Sequence, residues 1–390
     1  MRIDIANPQL QTLLFSVVFL MVLLLSIRPA KKESIFPIST TQELKGIAVL
    51  AVIFSHIGYF LSTDSAFLYP WSASAGVAVN LFLFLSGFGL ATSALQKKLS
   101  PAQFFLKRVV RLFIPLWLVL SVFLLSDFFI LHQSYPVGLS LQNFFGLYPQ
   151  ADLYRDIDSP LWFITLIVFY YLVFPFLFWR SRPLWSALAI FMAAALLLRF
   201  APLPIHPDTL QLYNLHFAAF PSGVLFATLL SGKDRLSRQV SKFCRDNLSS
   251  RTTFLALLKP VAILGLLAVF VYTSINSGVG QEQDKEQIIS LITVLTVVLI
   301  FLLKNVSFSL LHFFGLYSYE IYLFHWPLLY RYDFLYRNLQ PFLATLIYLG
   351  VFLALGFTLQ KISGLASAKV EKVFLTGRQS PVKKQQLAGE

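Results

Sequence analysis

The segment "ELKGIAVLAVIFSHIGYF", residues 43–60, contains an aliphatic run that is interrupted near its end by His56. Its length fits a helix that crosses a bilayer, since about twenty apolar residues span the hydrocarbon core. Lys45 can extend its ammonium group to the aqueous edge. His56 cannot, because it falls near the middle of the span. The segment therefore predicts a transmembrane helix that carries a titratable ring inside the membrane.

The composition extends this prediction to the whole chain. Of its 390 residues, 57% are hydrophobic and only 13% are charged, and the mean hydropathy is +0.71. Soluble globular chains have about 25% charged residues. We therefore predict an all-α, polytopic integral membrane protein with eleven transmembrane helices. These lie near residues 10–27, 44–61, 75–95, 109–131, 160–179, 184–201, 215–232, 258–275, 288–303, 306–330 and 341–360.

The positions of lysine and arginine predict the orientation. One set of connecting segments holds 25 of the 31 basic residues: 28–45, 96–111, 180–183, 233–259, 304–305 and 361–390. The positive-inside rule places this set in the cytoplasm. The amino terminus is then outside and the carboxyl terminus inside, with Arg2 and Lys384 on opposite faces. Because topology accounts for the net charge of +13, we expect no nucleic-acid partner.

Charged groups inside the membrane indicate function, because each costs about 2.5–3.5 kcal/mol on insertion scales. Lys45 and His56 are eleven residues apart, which places them on one helix face about 16 Å apart along the axis. This arrangement suits a pathway that leads inward from the cytoplasm. The alternative is a neutral structural histidine that hydrogen-bonds to a neighbouring helix.

Two further stretches contain candidate site residues. In "FFLKRVVRLFIP", Arg108 and Arg111 share a helix face at the cytoplasmic edge. They suit a phosphate clamp, although snorkelling arginines are common at such edges. "LYSYEIYLFHWPLLY" contains Glu320 and His325, which suit proton handling. Five residues separate them, about 140° of rotation, so each needs its own partner on another helix. His325 could instead be an interfacial histidine.

Other features carry weaker signals. "FLSGFG", residues 84–89, is typical of close helix packing. The aromatic and acidic residues of the outer loop 132–159 suit either sugar binding or a solvated loop. Cys244 is the single cysteine, so an intrachain disulfide and a cysteine metal cluster are excluded. We predict no metal site.

Five stretches together resemble the bacterial membrane-bound acyltransferase-3 family. They are, in chain order, "LKGIAVLAVIFSH", "GVAVNLFLFLSGFGL", "FFLKRVVRLFIPLW", "LWFITLIVFYYLVFP" and "YSYEIYLFHWPLL". The resemblance covers about residues 43–361. It implies an O-acyltransferase of the bacterial cytoplasmic (inner) membrane, with acyl-CoA as donor substrate and no bound cofactor. The acceptor would be a hydroxyl of a lipopolysaccharide, exopolysaccharide or lipid-linked glycan, and membrane lipids would surround the chain.

The resemblance also implies roles for individual residues. The family pattern of a basic residue, ten residues and a histidine matches Lys45 and His56. Its arginine-x-x-arginine pattern matches Arg108 and Arg111, and its histidine before Trp-Pro matches His325. In this reading His56 is the general base, Glu320 or His325 orients it or moves the proton, and the basic groups bind the donor.

Two departures from the family pattern accompany the match. The family usually has arginine where this chain has Lys45, and lysine cannot make a bidentate contact. Many members carry a glutamate where this chain reads "LWFITLIVFYY". Either Glu320 replaces that carboxylate, or this subgroup of the family does not need one.

The resemblance divides the chain into three parts. Residues 1–42 form an additional amino-terminal span and cytoplasmic linker, 43–361 form the acyltransferase-3-like core, and 362–390 form a basic cytoplasmic tail. We expect no hydrolase-like domain after the core. Two other functions stay open: an exopolysaccharide exporter on the same fold and a non-catalytic partner of a polysaccharide synthase. An exporter should need more polar residues inside the membrane than this chain has.

Overall fold

The computed structural model describes residues 3–30, 34–97, 100–152, 154, 157–248, 253–277 and 283–376. These form α-helices and one short two-stranded ribbon. The helices are α1 Pro8–Leu25, α2 Ile38–Ser55, α3 Ala75–Gln96, α4 Pro101–Ile130, α5 Val137–Phe144, α6 Trp162–Leu177, α7 Pro183–Phe200, α8 Pro207–His216, α9 Ala219–Leu230, α10 Arg235–Leu248, α11 Thr253–Ile275, α12 Gln283–Leu303, α13 Ser309–Leu316, α14 Ser318–Tyr330, α15 Leu335–Asn338 and α16 Pro341–Thr376. The strands β1 Ile27–Pro29 and β2 Val306–Phe308 pair antiparallel.

The predicted class, an all-α membrane protein, is confirmed. Within the described ranges, nine helical segments are long and apolar enough to cross a membrane. They are Pro8–Leu25, Ile38–Leu61, Gly76–Gln96, Pro101–Ile130, Pro183–Phe200, Pro207–Leu230, Leu258–Ile275, Asp284–Leu303 and Pro341–Lys372. Helix α6 is apolar but shorter, with 16 residues.

The continuous span predicted at 306–330 is instead divided. Its first three residues form β2, because they pair with β1 in the register Ile27 to Phe308. The rest forms α13 and α14, which are separated at Tyr317, where ψ rises to 13°. Hydropathy could not reveal this division, because the run is apolar on both sides of the break.

Glycines allow two helix pairs to touch at the backbone. On α3 and α9, a Cβ on Gly87 would lie 2.1 Å from the Phe220 carbonyl oxygen, and one on Gly223 would lie 1.9 Å from that of Phe84. The packing role predicted for "FLSGFG" is thus confirmed. On α2 and α13, a Cβ on Gly315 would lie 1.7 Å from the Gln42 carbonyl oxygen.

Hydrogen bonds join connecting segments within each of the two sets that the basic residues define. On the predicted cytoplasmic side, Arg180 and Lys233 donate to the Leu95 carbonyl oxygen at 2.8 and 3.2 Å. On the opposite side, the His206 amide donates to Pro149 at 2.8 Å. Which set faces the cytoplasm stays a prediction. Arg2 and Lys384, which are predicted on opposite faces, lie outside the described residues.

Buried charges at both ends are paired. Near the predicted cytoplasmic end, Lys304 forms an ion pair with Glu43, whose carboxylate also accepts the Phe308 amide at 3.0 Å. At the other end, Asp127 is fully buried and pairs with Arg331 at 3.1 Å. Such partners offset the cost of burying charge. These pairs therefore hold α2 to β2 and α4 to the end of α14.

A methyl group at Gly223 tests the close packing of α3 and α9. Gly223→Ala should lower the free energy of unfolding by about 1–3 kcal/mol, because the added carbon overpacks the contact with Phe84. Thermal denaturation in detergent measures the change. Gly265→Ala on α11 is the matched control, since a Cβ there meets nothing within 4 Å in the described structure. Equal effects of the two changes would contradict this account.

The orientation is testable with two single-cysteine variants in a Cys244→Ser background. Ser134 and Ser181 are both exposed, and the basic-residue pattern predicts them on opposite sides. A membrane-impermeant maleimide on intact cells should label Ser134→Cys and leave Ser181→Cys unlabelled until the membrane is opened. The reverse labelling pattern would contradict the predicted orientation.

Candidate active site

Two histidines from separate helices meet at the centre of the site. Nδ1 of His56 lies 2.7 Å from Nε2 of His325. The two rings are nearly parallel, with an interplanar angle of 4° and centroids 4.9 Å apart. Residues 269 positions apart in the chain thus form one hydrogen-bonded pair, which we call the histidine dyad.

The surrounding hydrogen bonds assign the protons of the dyad. Nδ1 of His325 lies 2.9 Å from the carbonyl oxygen of Tyr322, which can only accept. Nδ1 of His325 therefore carries a proton, and in the neutral ring its Nε2 is an acceptor. His56 must then donate through Nδ1. The Nε2 atom of His56 keeps its lone pair and can act as a base or a nucleophile.

The local backbone sets the position of His56. The α-helical turns of α2 end there, and residues His56–Leu61 form a π-helical turn, in which the Ser62 amide donates to the Ile57 carbonyl at 2.9 Å. Gly58 permits this turn to approach residue 67, since a Cβ on Gly58 would lie 2.5 Å from the Phe67 carbonyl oxygen. Single π-helical turns occur frequently at functional sites.

The two rings differ in accessibility. His325 is 0% exposed, whereas His56 is partly exposed. Aromatic rings line the dyad: Trp326 lies edge-on to His56 at 5.1 Å, and Phe60 lies at 5.8 Å. Tyr154 in turn contacts Trp326 at 6.3 Å. Of the two rings, only that of His56 is therefore not fully enclosed.

The predicted basic residues converge around the start of α2. Lys45 interacts electrostatically with Glu320, Arg108 and Arg111. Lys45 and Arg108 are partly buried, and Arg111 is exposed. We call Lys45, Arg108 and Arg111 the basic cluster. Lys45 and His56 lie on one helical segment, Ile38–Leu61, as expected. The donor-binding role of the three basic residues stays a prediction.

Arg108 has an unused hydrogen-bond donor. Its guanidinium lies over the rings of Phe104 and Tyr171, at 5.6 and 5.7 Å. Its buried Nε forms no hydrogen bond with any residue that the structure describes. A buried donor without a partner is costly, and an anionic ligand would supply one.

Glu320 lies with the basic cluster. The carboxylate is buried and interacts electrostatically with Lys45. His325, five residues further on, hydrogen-bonds to His56 instead. The prediction that Glu320 and His325 need different partners is thus confirmed. Of the two residues considered as the partner of His56, the structure places His325 in contact with it.

Sequence reasoning missed a second buried polar cluster. His216 Nδ1 lies 2.9 Å from Asn80 Oδ1, and the Asn80 amide donates to Ser290 at 2.5 Å. Trp162 stacks on the His216 ring at 5.5 Å. Asn80 is a polar residue within the apolar stretch "GVAVNLFLFLSGFGL", which was the available signal. The cluster joins α3, α8 and α12.

Comparison with known proteins adds one match. Residues 44–361 match the family model Acyl_transf_3, described as an acyltransferase domain. No curated protein and no solved structure matches the chain. The family match extends from the first turns of α2 into α16, and thus includes the histidine dyad and the basic cluster. Because the match covers well over half of its residues, the chain belongs to the acyltransferase-3 family.

Proposed function

We propose that this protein is a membrane O-acyltransferase. It moves an acyl group, with acetyl as the first candidate, from acyl-CoA to a hydroxyl of a cell-surface or lipid-linked glycan. The observation that carries the proposal is the histidine dyad, because its hydrogen bonds leave the lone pair of His56 Nε2 on the accessible ring. The family match supports acyl transfer as the reaction class.

In the proposed reaction, Nε2 of His56 accepts the proton of the acceptor hydroxyl. The hydroxyl oxygen attacks the thioester carbonyl, the new C–O bond forms, and the C–S bond breaks. The departing thiolate then takes the proton back from His56. Throughout, Nδ1 of His56 donates to His325, which orients the ring and stabilises its transient positive charge. A route through an acylated His56 would use the same nitrogen.

The basic cluster is the proposed site for the donor's phosphates. Guanidinium groups bind phosphate oxygens in a bidentate manner, and Arg108 has a buried Nε free to donate within the described structure. Eleven residues of helix separate Lys45 from His56, a rise of about 16 Å. Acyl-CoA suits this layout, since its phosphates and its thioester lie at opposite ends of an extended arm. The donor would enter from the cytoplasm and the acceptor from the other side.

Replacing the proposed base should abolish most of the activity. Asparagine keeps hydrogen bonding but cannot accept and return a proton near neutral pH. His56→Asn should therefore lower turnover by about 100-fold or more, as general-base catalysis usually contributes that much. The assay is label transfer from labelled acetyl-CoA to a crude lipid-linked glycan by purified protein.

The control for this experiment is His312→Asn, a partly exposed histidine on α13 outside the dyad. It should leave turnover unchanged. A well-folded His56→Asn variant that transfers label at the wild-type rate would contradict the catalytic role. Wild-type protein that transfers no label but supports polysaccharide export would favour the exporter.

The basic cluster is tested by charge-conserving substitutions. Arg108→Lys with Arg111→Lys keeps both charges but removes the planar forks, so the Kd for acyl-CoA should rise about tenfold or more. Isothermal titration on purified protein measures this change. Arg235→Lys with Arg238→Lys is the matched control, because these exposed arginines have the same spacing on α10. Equal donor affinity in both double variants would leave Arg108 and Arg111 as topology residues.

A further inference from the structure

A cavity lies on the predicted outer side, apart from both the dyad and the basic cluster. It has a volume of about 430 Å³ and is formed by the end of α5, the loop after it, and the α7–α8 connection. We call it the outer cavity. Its volume lies within the range of small-molecule sites, about 300–1,000 Å³.

The wall of the outer cavity contains an unsatisfied amide. Asn143 is 1% exposed. Neither its side-chain nitrogen nor its oxygen forms a hydrogen bond with any residue that the structure describes. Buried polar groups are nearly always hydrogen-bonded, so such an exception calls for an explanation. A ligand that both donates and accepts hydrogen bonds would satisfy the amide.

The walls of the outer cavity are held in place without a ligand. The Tyr148 amide donates to Thr165 Oγ1 at 2.8 Å, and its carbonyl accepts the Tyr213 hydroxyl at 2.8 Å. The His206 amide donates to Pro149 at 2.8 Å and thereby joins the two loops that face each other. The cavity is therefore preformed, which lowers the entropic cost of binding.

The lining chemistry narrows the ligand class. Besides Asn143, the amides of Gln142 and Gln150 line the cavity, and among the described lining residues there is no lysine, arginine or carboxylate. Apolar side chains, Tyr148 and His206 complete the wall. Such a lining does not favour a phosphate or another strongly charged group. It fits a neutral ring that carries several hydroxyls and an apolar face, which is a sugar.

The outer cavity is linked to the dyad by a short stretch of chain. Residues 148–150 line the cavity. Tyr154, four residues beyond Gln150, donates to the Phe60 carbonyl at 3.0 Å and contacts Trp326, which packs against His56. The segment that lines the cavity is thus followed by a residue that contacts the ring beside His56.

We propose that the outer cavity is a binding subsite for a neutral sugar unit of the acceptor, away from the unit that is acylated. This assignment rests on the proposed function for the identity of the acceptor. Sugar binding itself requires neither a donor nor the dyad. The two proposals can therefore fail separately.

Saturation-transfer difference NMR on the purified protein in detergent tests the subsite. The probes are the neutral trisaccharides maltotriose, cellotriose and chitotriose, without acyl-CoA. At least one should receive saturation from the wild-type protein. Asn143→Leu should reduce that signal at least fivefold, while its unfolding temperature stays equal or rises, because the change removes an unsatisfied amide.

Asn338→Leu is the matched control, since Asn338 is exposed on α15 and lies outside the outer cavity. It should leave the signal unchanged. Three results would overturn the subsite: no transfer to any probe, undiminished transfer in Asn143→Leu, or a lowered unfolding temperature of Asn143→Leu, which indicates a structural amide. Each of these can coexist with intact acyl transfer, which would leave the proposed function standing.

Discussion

The backbone contact between α2 and α13 is the constraint on which the rest of the site depends. Gly46 and Gly315 lie against carbonyl oxygens of the partner helix, at positions where any side chain would collide. Because α14 follows α13 after a single break at Tyr317, this contact also positions α14 against α2. His325 then meets His56, and Glu320 comes within electrostatic reach of Lys45. Both halves of the candidate site follow from one glycine-mediated contact.

The polar groups within the spans are matched to partners with few exceptions. His56 has His325, Glu43 has Lys304, and Asp127 has Arg331. These pairings make burial tolerable and hold the helices in register. Among the buried groups without a hydrogen-bond partner in the described residues are Nε of Arg108 on α4 and the side-chain amide of Asn143 on the short helix α5. They lie in the two places where we propose that ligands bind, the donor's phosphates and a sugar of the acceptor.

The asymmetry of the dyad has a mechanistic meaning. In the proposed reaction, the accessible ring of His56 transfers the proton, and the buried ring of His325 orients it. The buried His325 takes its tautomer from a backbone carbonyl of its own helix, which no substrate can disturb. In the proposed reaction, the free lone pair on His56 Nε2 therefore follows from helix geometry. A carboxylate in the place of His325 would bring a buried negative charge to a pair that is neutral at rest.

The sequence by itself determined the class of protein, the approximate spans and the residues worth examining. Spans are local, since each follows from a run of apolar residues, and a lone His56 within such a run is conspicuous. It also predicted that Lys45 and His56 share one face, because helix geometry is periodic. Only the tertiary structure decided that His325 pairs with His56 while Glu320 joins the basic cluster. Only the tertiary structure shows that the predicted span 306–330 is divided and that Asn143 lines an outer cavity. These features depend on the rotation and register of helices that are distant in the chain. Backbone contacts at glycines and the pairing of β1 with β2 set that rotation and register. Hydropathy carries no information about them.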